Sequence, residues 1–163
     1  VYSSPLRRCT ETAEILFPHT QICVVDDLRE LDFGIFENKS VDELVKREDY
    51  MKWIKGGKDS RPPQGESLQE LTARTYKALH EIITDMMNDG LTHCAVITHG
   101  GVISNMLSCY GLPKYNPAEL TADFGEGFDA IATAQMWLNS QAIEILGYCP
   151  YEKIQDADDF YSI

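Results

Sequence analysis

The stretch "CAVITHGG", residues 94–101, restricts the fold more than any other part of the chain. Cys94 to Thr98 form a short continuous apolar run, the pattern of a strand buried on both faces of a sheet. His99 stands at the carboxyl end of that strand, Gly100 and Gly101 follow, and residues from about 102 to 110 read as a helix. A strand of this kind needs helices on either side of its sheet.

The rest of the chain keeps the same alternation. Residues 1–3 read as the end of a strand. Ser4 then caps a helix that has Pro5 at its first position, where a missing N–H costs nothing. Leu6, Cys9, Ala13 and Leu16 recur on one face of that helix. Residues 21–25 are a short apolar strand and 28–36 a loop with a turn at Gly34. Ser40 with Glu43 is a capping box that opens a helix to about 48, with 49–55 as its candidate continuation. "GGKDSRPPQGES" is loop chemistry. Ser67 with Glu70 is a second capping box, opening a helix from 68 to about 88 that Gly90 stops. Its apolar stripe is Leu68, Leu71, Ala78, Leu79, Ile82, Ile83 and Met86. Residues 130–138 and 142–148 read as a hairpin around "NSQ", and the acidic tail, 155–163, is expected to fray. The reading is one domain, 1–163, of α/β class. It has three layers: a mostly parallel central sheet, helices on both faces, and an antiparallel C-terminal hairpin.

The formal net charge of −12 argues against nucleic-acid and anionic-membrane partners, both of which select a basic surface. It leaves room for a small anionic substrate, because a few clustered Arg and His residues make a local positive pocket. No stretch approaches a membrane span. Cys9, Cys23, Cys94, Cys109 and Cys149 are odd in number and scattered, and no C-x-x-C occurs, so they read as reduced, mostly buried thiols of a cytoplasmic protein.

Three stretches could carry chemistry. In "CAVITHGG" a ligand would sit outside the carboxyl end of a strand, where helix N–H groups favour anions and glycine lets the backbone come close. His99 is then a binding partner; otherwise it is a satisfied loop histidine beside a turn. In "SSPLRRCTETA", Arg7 and Arg8 oppose the helix dipole, which argues either for a bound anion or for a solvated charged face. In "LRELDFGIFEN", Glu30 and Asp32 lie beside aromatic residues. A carboxyl desolvated there is a general acid; an undisturbed one is a surface acid of an acidic protein.

Taken in order, these stretches resemble the histidine phosphatase superfamily, the phosphoglycerate-mutase-like fold. "VYSSPLRRCTETAEIL" is similar to its strand-Ser-x-Leu-x-Arg-Ala-x-x-Thr-Ala segment, with Cys9 in place of Ala. "LRELDFGIFEN" is similar to Leu-x-Glu-x-x-Phe-Gly-x-Trp-Glu-Gly, with Phe36 for Trp and Asn38 for Gly. "PPQGES" resembles Pro-x-Gly-Gly-Glu-Ser with Gln64 for a glycine, and "VITHGG" its second-histidine strand. Within the family the compact segment from Glu30 to His99 favours a small phosphatase, such as the α-ribazole-phosphatase-like or broad-specificity types.

The resemblance implies hydrolysis of a small phosphorylated metabolite through a phosphohistidine, with no metal and no cofactor. Arg8, His99 and the backbone at Gly100 would hold the phosphoryl oxygens. Glu30 would protonate the leaving alcohol, and residues 57–66 and 115–128 would shape its pocket. The family's first strand ends in Arg-His-Gly, whose His attacks phosphorus and which lies in mid-sheet beside the "CAVIT" strand. That segment is not in this sequence, and neither His19, His80 nor His93 matches it. The chain is therefore expected to be a piece of a longer gene product, inactive by itself. Two alternatives stand within the family: mutase-type phosphoryl transfer, and a silent phosphoester-binding member. An unrelated nucleotide-binding domain would want a Walker Lys or a G-x-G-x-x-G, and the sequence has neither.

Overall fold

The computed structural model describes residues 1–150. The expected frayed tail, 155–163, lies outside the described residues. Within them the chain is a mixed α/β fold with two three-stranded sheets. The first is parallel, with β1 (Tyr2–Ser3) between β2 (Cys23–Val24) and β3 (Val96–Ile97). The second places β6 (Ile143–Cys149) between β4 (Gly111–Leu112), which runs parallel to it, and β5 (Gly127–Ile131), which runs antiparallel.

Six helices accompany the strands: α1 (Arg7–Leu16), α2 (Val41–Leu44), α3 (Glu48–Lys55), α4 (Leu68–Asp89), α5 (Gly100–Tyr110) and α6 (Ala134–Ser140). Both expected capping boxes form. The Ser40 and Ser67 side chains accept the Glu43 and Glu70 N–H groups, and each Glu carboxylate reaches back to its Ser N–H. Gly90 closes α4 in the left-handed conformation, which glycine adopts without a steric cost. The buried stripe of α4 is Leu71, Thr75, Ala78, Leu79, Ile82 and Ile83. It packs with Val102, Met106 and Leu107 of α5, with Leu28, and with Trp137 of α6.

Five local expectations are corrected. The helix after β1 begins at Arg7, with Leu6 in the N-cap position, so Ser4 and Pro5 precede it; the Ser4 hydroxyl is taken by a residue of another segment, described below. The helix opened at Ser40 stops after one turn. Arg47 is extended (φ −96°, ψ 128°) and starts α3 anew, bonding Asp49 through two N–H groups. In α4 the expected stripe residue Leu68 is 43% exposed, because it faces the open hollow beside Trp53 and not the core that takes Leu71. Val96 and Ile97 are half-buried rather than buried on both faces, since β3 pairs with β1 alone among the described residues.

The fifth correction concerns the hairpin. Residues 134–140 are the helix α6 and form no strand. Thr133 accepts the Met136 N–H as an N-cap, Ala134 to Leu138 favour helix, and the turn buries Trp137. The antiparallel pairing survives, with its first strand moved upstream to β5.

Candidate functional site

The parallel register brings the three strand ends of the first sheet level. Ser3 lies opposite both Val24 and Ile97. The segments that leave these ends carry Arg8 (in the first turn of α1), Glu30 (in the loop after β2) and His99 (after β3). Ligands of open parallel sheets bind at this end, where the crossovers diverge.

His99 is the hub. It is 5% exposed and occupies the N-cap position of α5. Its side chain turns away from the helix, so the first-turn N–H groups beginning at Gly100 have no side-chain cap among the described residues. The ring bridges two partners. Nε2 lies 2.8 Å from the hydroxyl of Ser4, itself fully buried. Nδ1 lies 2.9 Å from Arg8 Nη2 and 3.2 Å from Arg8 Nε. Burial first, then the Arg8 and Arg74 charges, push the His99 pKa down to about 4. The thiol of Cys9 rests against the same ring, 3.6 Å from Nε2 and 3.8 Å from Nδ1. Burial raises the pKa of that thiol, which keeps it protonated and unreactive.

Glu30 faces this pair. Its Oε2 lies 3.8 Å from His99 Nδ1, but with His99 neutral the contact is not an ion pair. Burial raises the Glu30 pKa, offset in part by the Leu31 N–H, Arg8 and Arg74. Gly101 leaves space for the carboxyl: a Cβ there would stand 3.0 Å from Glu30 Oε1.

The main chain under Glu30 is held by Arg74 of α4. Its guanidinium donates to the carbonyls of Asp27, Arg29 and Glu30 at 2.7–3.0 Å, and grips both oxygens of Glu66 at 2.6 and 2.8 Å. The 62–66 loop locks onto the same segment through Glu66 N–H to Asp32 O and Ile35 N–H to Pro63 O. A Cβ on Gly34 would come within 2.2 Å of Pro63 O, which explains a glycine there. Asn38 and Gln64, which replace two glycines of the resembled pattern, both take positive φ, 57° and 64°. Asn tolerates this conformation; Gln bears its steric cost.

On the other side of Leu31 lies a hollow of about 350 Å³ lined by Trp53, Ile54, Lys58 and Leu68. Trp53 meets Phe33 edge to face and packs at tilted angles on Phe36 and Tyr50. A smaller hollow, about 160 Å³, lies between Tyr115 and Phe128.

The residues singled out from sequence fall into two groups. Arg8, Glu30, His99 and Gly100 converge. Arg7 points away and pairs with Glu11 on an exposed surface, and Asp32 bonds the Gly34 N–H as a turn residue. The remaining histidines lie elsewhere: His80 accepts from Trp137 Nε1, His93 bonds Thr92, and His19 is exposed. Sequence reasoning missed Ser4 as a partner of His99, and missed Arg74. A charge at position 74, inside the buried stripe between Leu71 and Ala78, was the available signal. Among the described residues no group of three or more His, Cys, Asp or Glu is placed to hold a metal ion, and no helix is long and apolar enough to cross a membrane. All five cysteines are free thiols, but the expectation that they are mostly buried is corrected: Cys9 alone is buried, Cys149 is half-buried, and Cys23, Cys94 and Cys109 lie at exposed positions outside the core.

The chain was compared with known proteins. Residues 1–122 match the family described as "Histidine phosphatase superfamily (branch 1)". A probable phosphoglycerate mutase, GpmB, of Klebsiella pneumoniae is 34% identical over 120 residues, covering 71% of this chain and 54% of its own length. The chain thus spans about half the length of the curated relatives it matches. An α-ribazole phosphatase from Shigella flexneri is similar in structure, with a TM-score of 0.64 and 19% identity over 89% of this chain and 70% of that one. A phosphoglycerate mutase from Bacillus anthracis follows with a TM-score of 0.57 and 22% identity, covering 74% and 60%. At these identities the two structures speak for the fold alone.

Proposed function

The chain belongs to the histidine phosphatase superfamily, branch 1, and from that premise we propose that Arg8, His99 and Glu30 form the phosphoryl site of an enzyme that hydrolyses a small phosphomonoester. One observation carries the reading. Three parallel strands end level, and the segments after them place Arg8, His99 and Glu30 together, with His99 Nδ1 at 2.9 Å from Arg8 and 3.8 Å from Glu30.

Each group suits its part. Arg8 is permanently cationic and offers a fork of N–H donors to phosphoryl oxygens. The uncapped start of α5 at Gly100 adds backbone donors. In the first step a histidine nitrogen attacks phosphorus, the P–O bond to the leaving group breaks, and the alkoxide takes the Glu30 proton. In the second, water attacks the phosphohistidine, gives a proton to the Glu30 carboxylate, and the P–N bond breaks. The raised Glu30 pKa suits both proton transfers. His99 serves the phosphoryl oxygens in this scheme, so we assign the attacking imidazole to the Arg-His-Gly histidine that the family resemblance implies and this sequence does not contain. The positive charge comes from Arg8 and helix dipoles, and the reaction so drawn needs no metal.

A mutase reading draws on the 34% identity to the probable phosphoglycerate mutase. We favour hydrolysis because the segment between Glu30 and His99 carries no extra subdomain to close over an intermediate. The test is turnover of p-nitrophenyl phosphate by the whole protein. Glu30→Gln with His99→Ala is expected to cost at least about 100-fold in kcat, and EDTA is expected to change nothing. Full activity in the double variant would overturn the site, and loss of activity in EDTA would overturn the metal-free scheme.

A further inference from the structure

His99 meets four neighbours, and their donor and acceptor capacities determine where its proton sits. A guanidinium can only donate, so the two Arg8 N–H groups at 2.9 and 3.2 Å make Nδ1 an acceptor. A neutral ring then carries its hydrogen on Nε2, which donates to Ser4 Oγ at 2.8 Å. The same oxygen accepts the Leu6 N–H at 3.3 Å, so both its lone pairs are used. Its own hydrogen is left for the Cys9 sulfur beside it, and Ser4 draws that thiol's pKa down against the larger effect of burial. Cys9 in turn donates to Thr98 O at 3.5 Å. Ser4 is fully buried and Cys9 is 4% exposed, so water does not compete along this chain of bonds.

We propose that Ser4 is a positioning residue that holds His99 in the Nε2–H tautomer, making Nδ1 the nitrogen presented to the phosphoryl site. Arg8 cannot serve as the permanent lock, because an arriving phosphate draws its guanidinium off Nδ1. Ser4 lies on the far side of the ring and keeps its bond. Nδ1 is then free to take a proton and donate it to a phosphoryl oxygen without the ring turning over. Cys9 and Thr98 orient the Ser4 hydroxyl from behind. The role assigned to Nδ1 rests on the phosphoryl-site reading, but the tautomer itself is measurable with no phosphate present.

The experiment is nitrogen NMR of the ¹⁵N-histidine-labelled chain in phosphate-free buffer near neutral pH, with His99 assigned by its loss in His99→Gln. The wild type is expected to show a bare Nδ1 and a protonated Nε2. With the Arg8 donors removed by Arg8→Ala, His99 is expected to keep this pattern, further Ser4→Ala to shift it toward a tautomer mixture, and Ser4→Thr to restore it. His80, whose Nδ1 accepts from Trp137, serves as the internal control and should not change. A protonated Nδ1 in the wild type overturns the proposal, as does an unchanged His99 in the folded Arg8→Ala, Ser4→Ala double variant. Should the double variant not fold, acid titration of Arg8→Ala alone decides. A response at Nδ1 with Nε2 nearly still supports the lock, and a response at Nε2 overturns it. Failure of phosphate to bind in a separate titration would count against the phosphoryl-site reading and leave the tautomer result standing.

Discussion

On the side of the site that would hold the phosphoryl group, Ser4, Cys9 and His99 are buried and bonded across three segments of chain, and Arg74 pins the backbone of Glu30. Across Leu31, the hollow by Trp53 is walled by α3, none of whose described residues is fully buried, and by the glycine-rich 56–60 turn. The first side is set by sheet register and buried polar bonds, which tolerate little change. The second rests on an edge-to-face aromatic cluster and exposed loops, where substitutions alter shape without unfolding the protein. The chain therefore states its chemistry more firmly than its substrate.

Four experiments bear on that contrast. The largest effect is expected from Arg74→Ala. The Arg74 and Glu66 side chains are only 9% and 12% exposed, and removing one partner strands the other charge at a cost of about 3–5 kcal/mol. Denaturant unfolding measures it, and a cost near that of an exposed pair would show the Glu30 support to be as soft as α3.

Acid comes next. A neutral, buried His99 has a folded pKa of about 4 against 6.5 unfolded. Its stabilising contribution is full above pH 6.5 and is lost as pH falls through about 4, on the order of 3 kcal/mol. Glu30 acts in the opposite sense. Its folded pKa is raised, so its contribution is present at low pH and fades as pH rises through that value. His99→Gln is expected to flatten the acid limb of a stability–pH profile, and an unaltered limb would mean that His99 is not held neutral.

A smaller effect, of opposite sign, is expected from Gln64→Gly. Relief of the left-handed conformation at φ 64° should stabilise the loop by about 1 kcal/mol, read as a raised unfolding midpoint. The least is expected from Arg7→Ala. Its salt bridge with Glu11 has side chains 88% and 50% exposed, and loss of an exposed i,i+4 pair costs less than about 0.5 kcal/mol. A large loss there would erase the distinction between Arg7 and its neighbour Arg8.

Local signals were legible where they act locally. Both capping boxes, the Gly90 stop and the "CAVIT" strand stand where the residues indicate. The 130–138 strand was misread because a helix one core residue deep, buried through Trp137, leaves no full period in seven residues. Arg8, Glu30 and His99 were legible through motif order. Ser4 looked like a cap because serine before a helix usually is one, and only the fold brings His99, 95 positions away, to its hydroxyl. Arg74 was hidden because three of its acceptors are backbone carbonyls, which every sequence contains.

The most direct test of the account is a titration of inorganic phosphate into the ¹⁵N-labelled chain, following the Arg8 Nε–H and the His99 ring nitrogens. The account predicts that both signals move along one weak binding curve, with His99 responding at Nδ1, and that Arg8→Ala abolishes the response. Phosphate that shifts other residues while Arg8 and His99 stay still would contradict it.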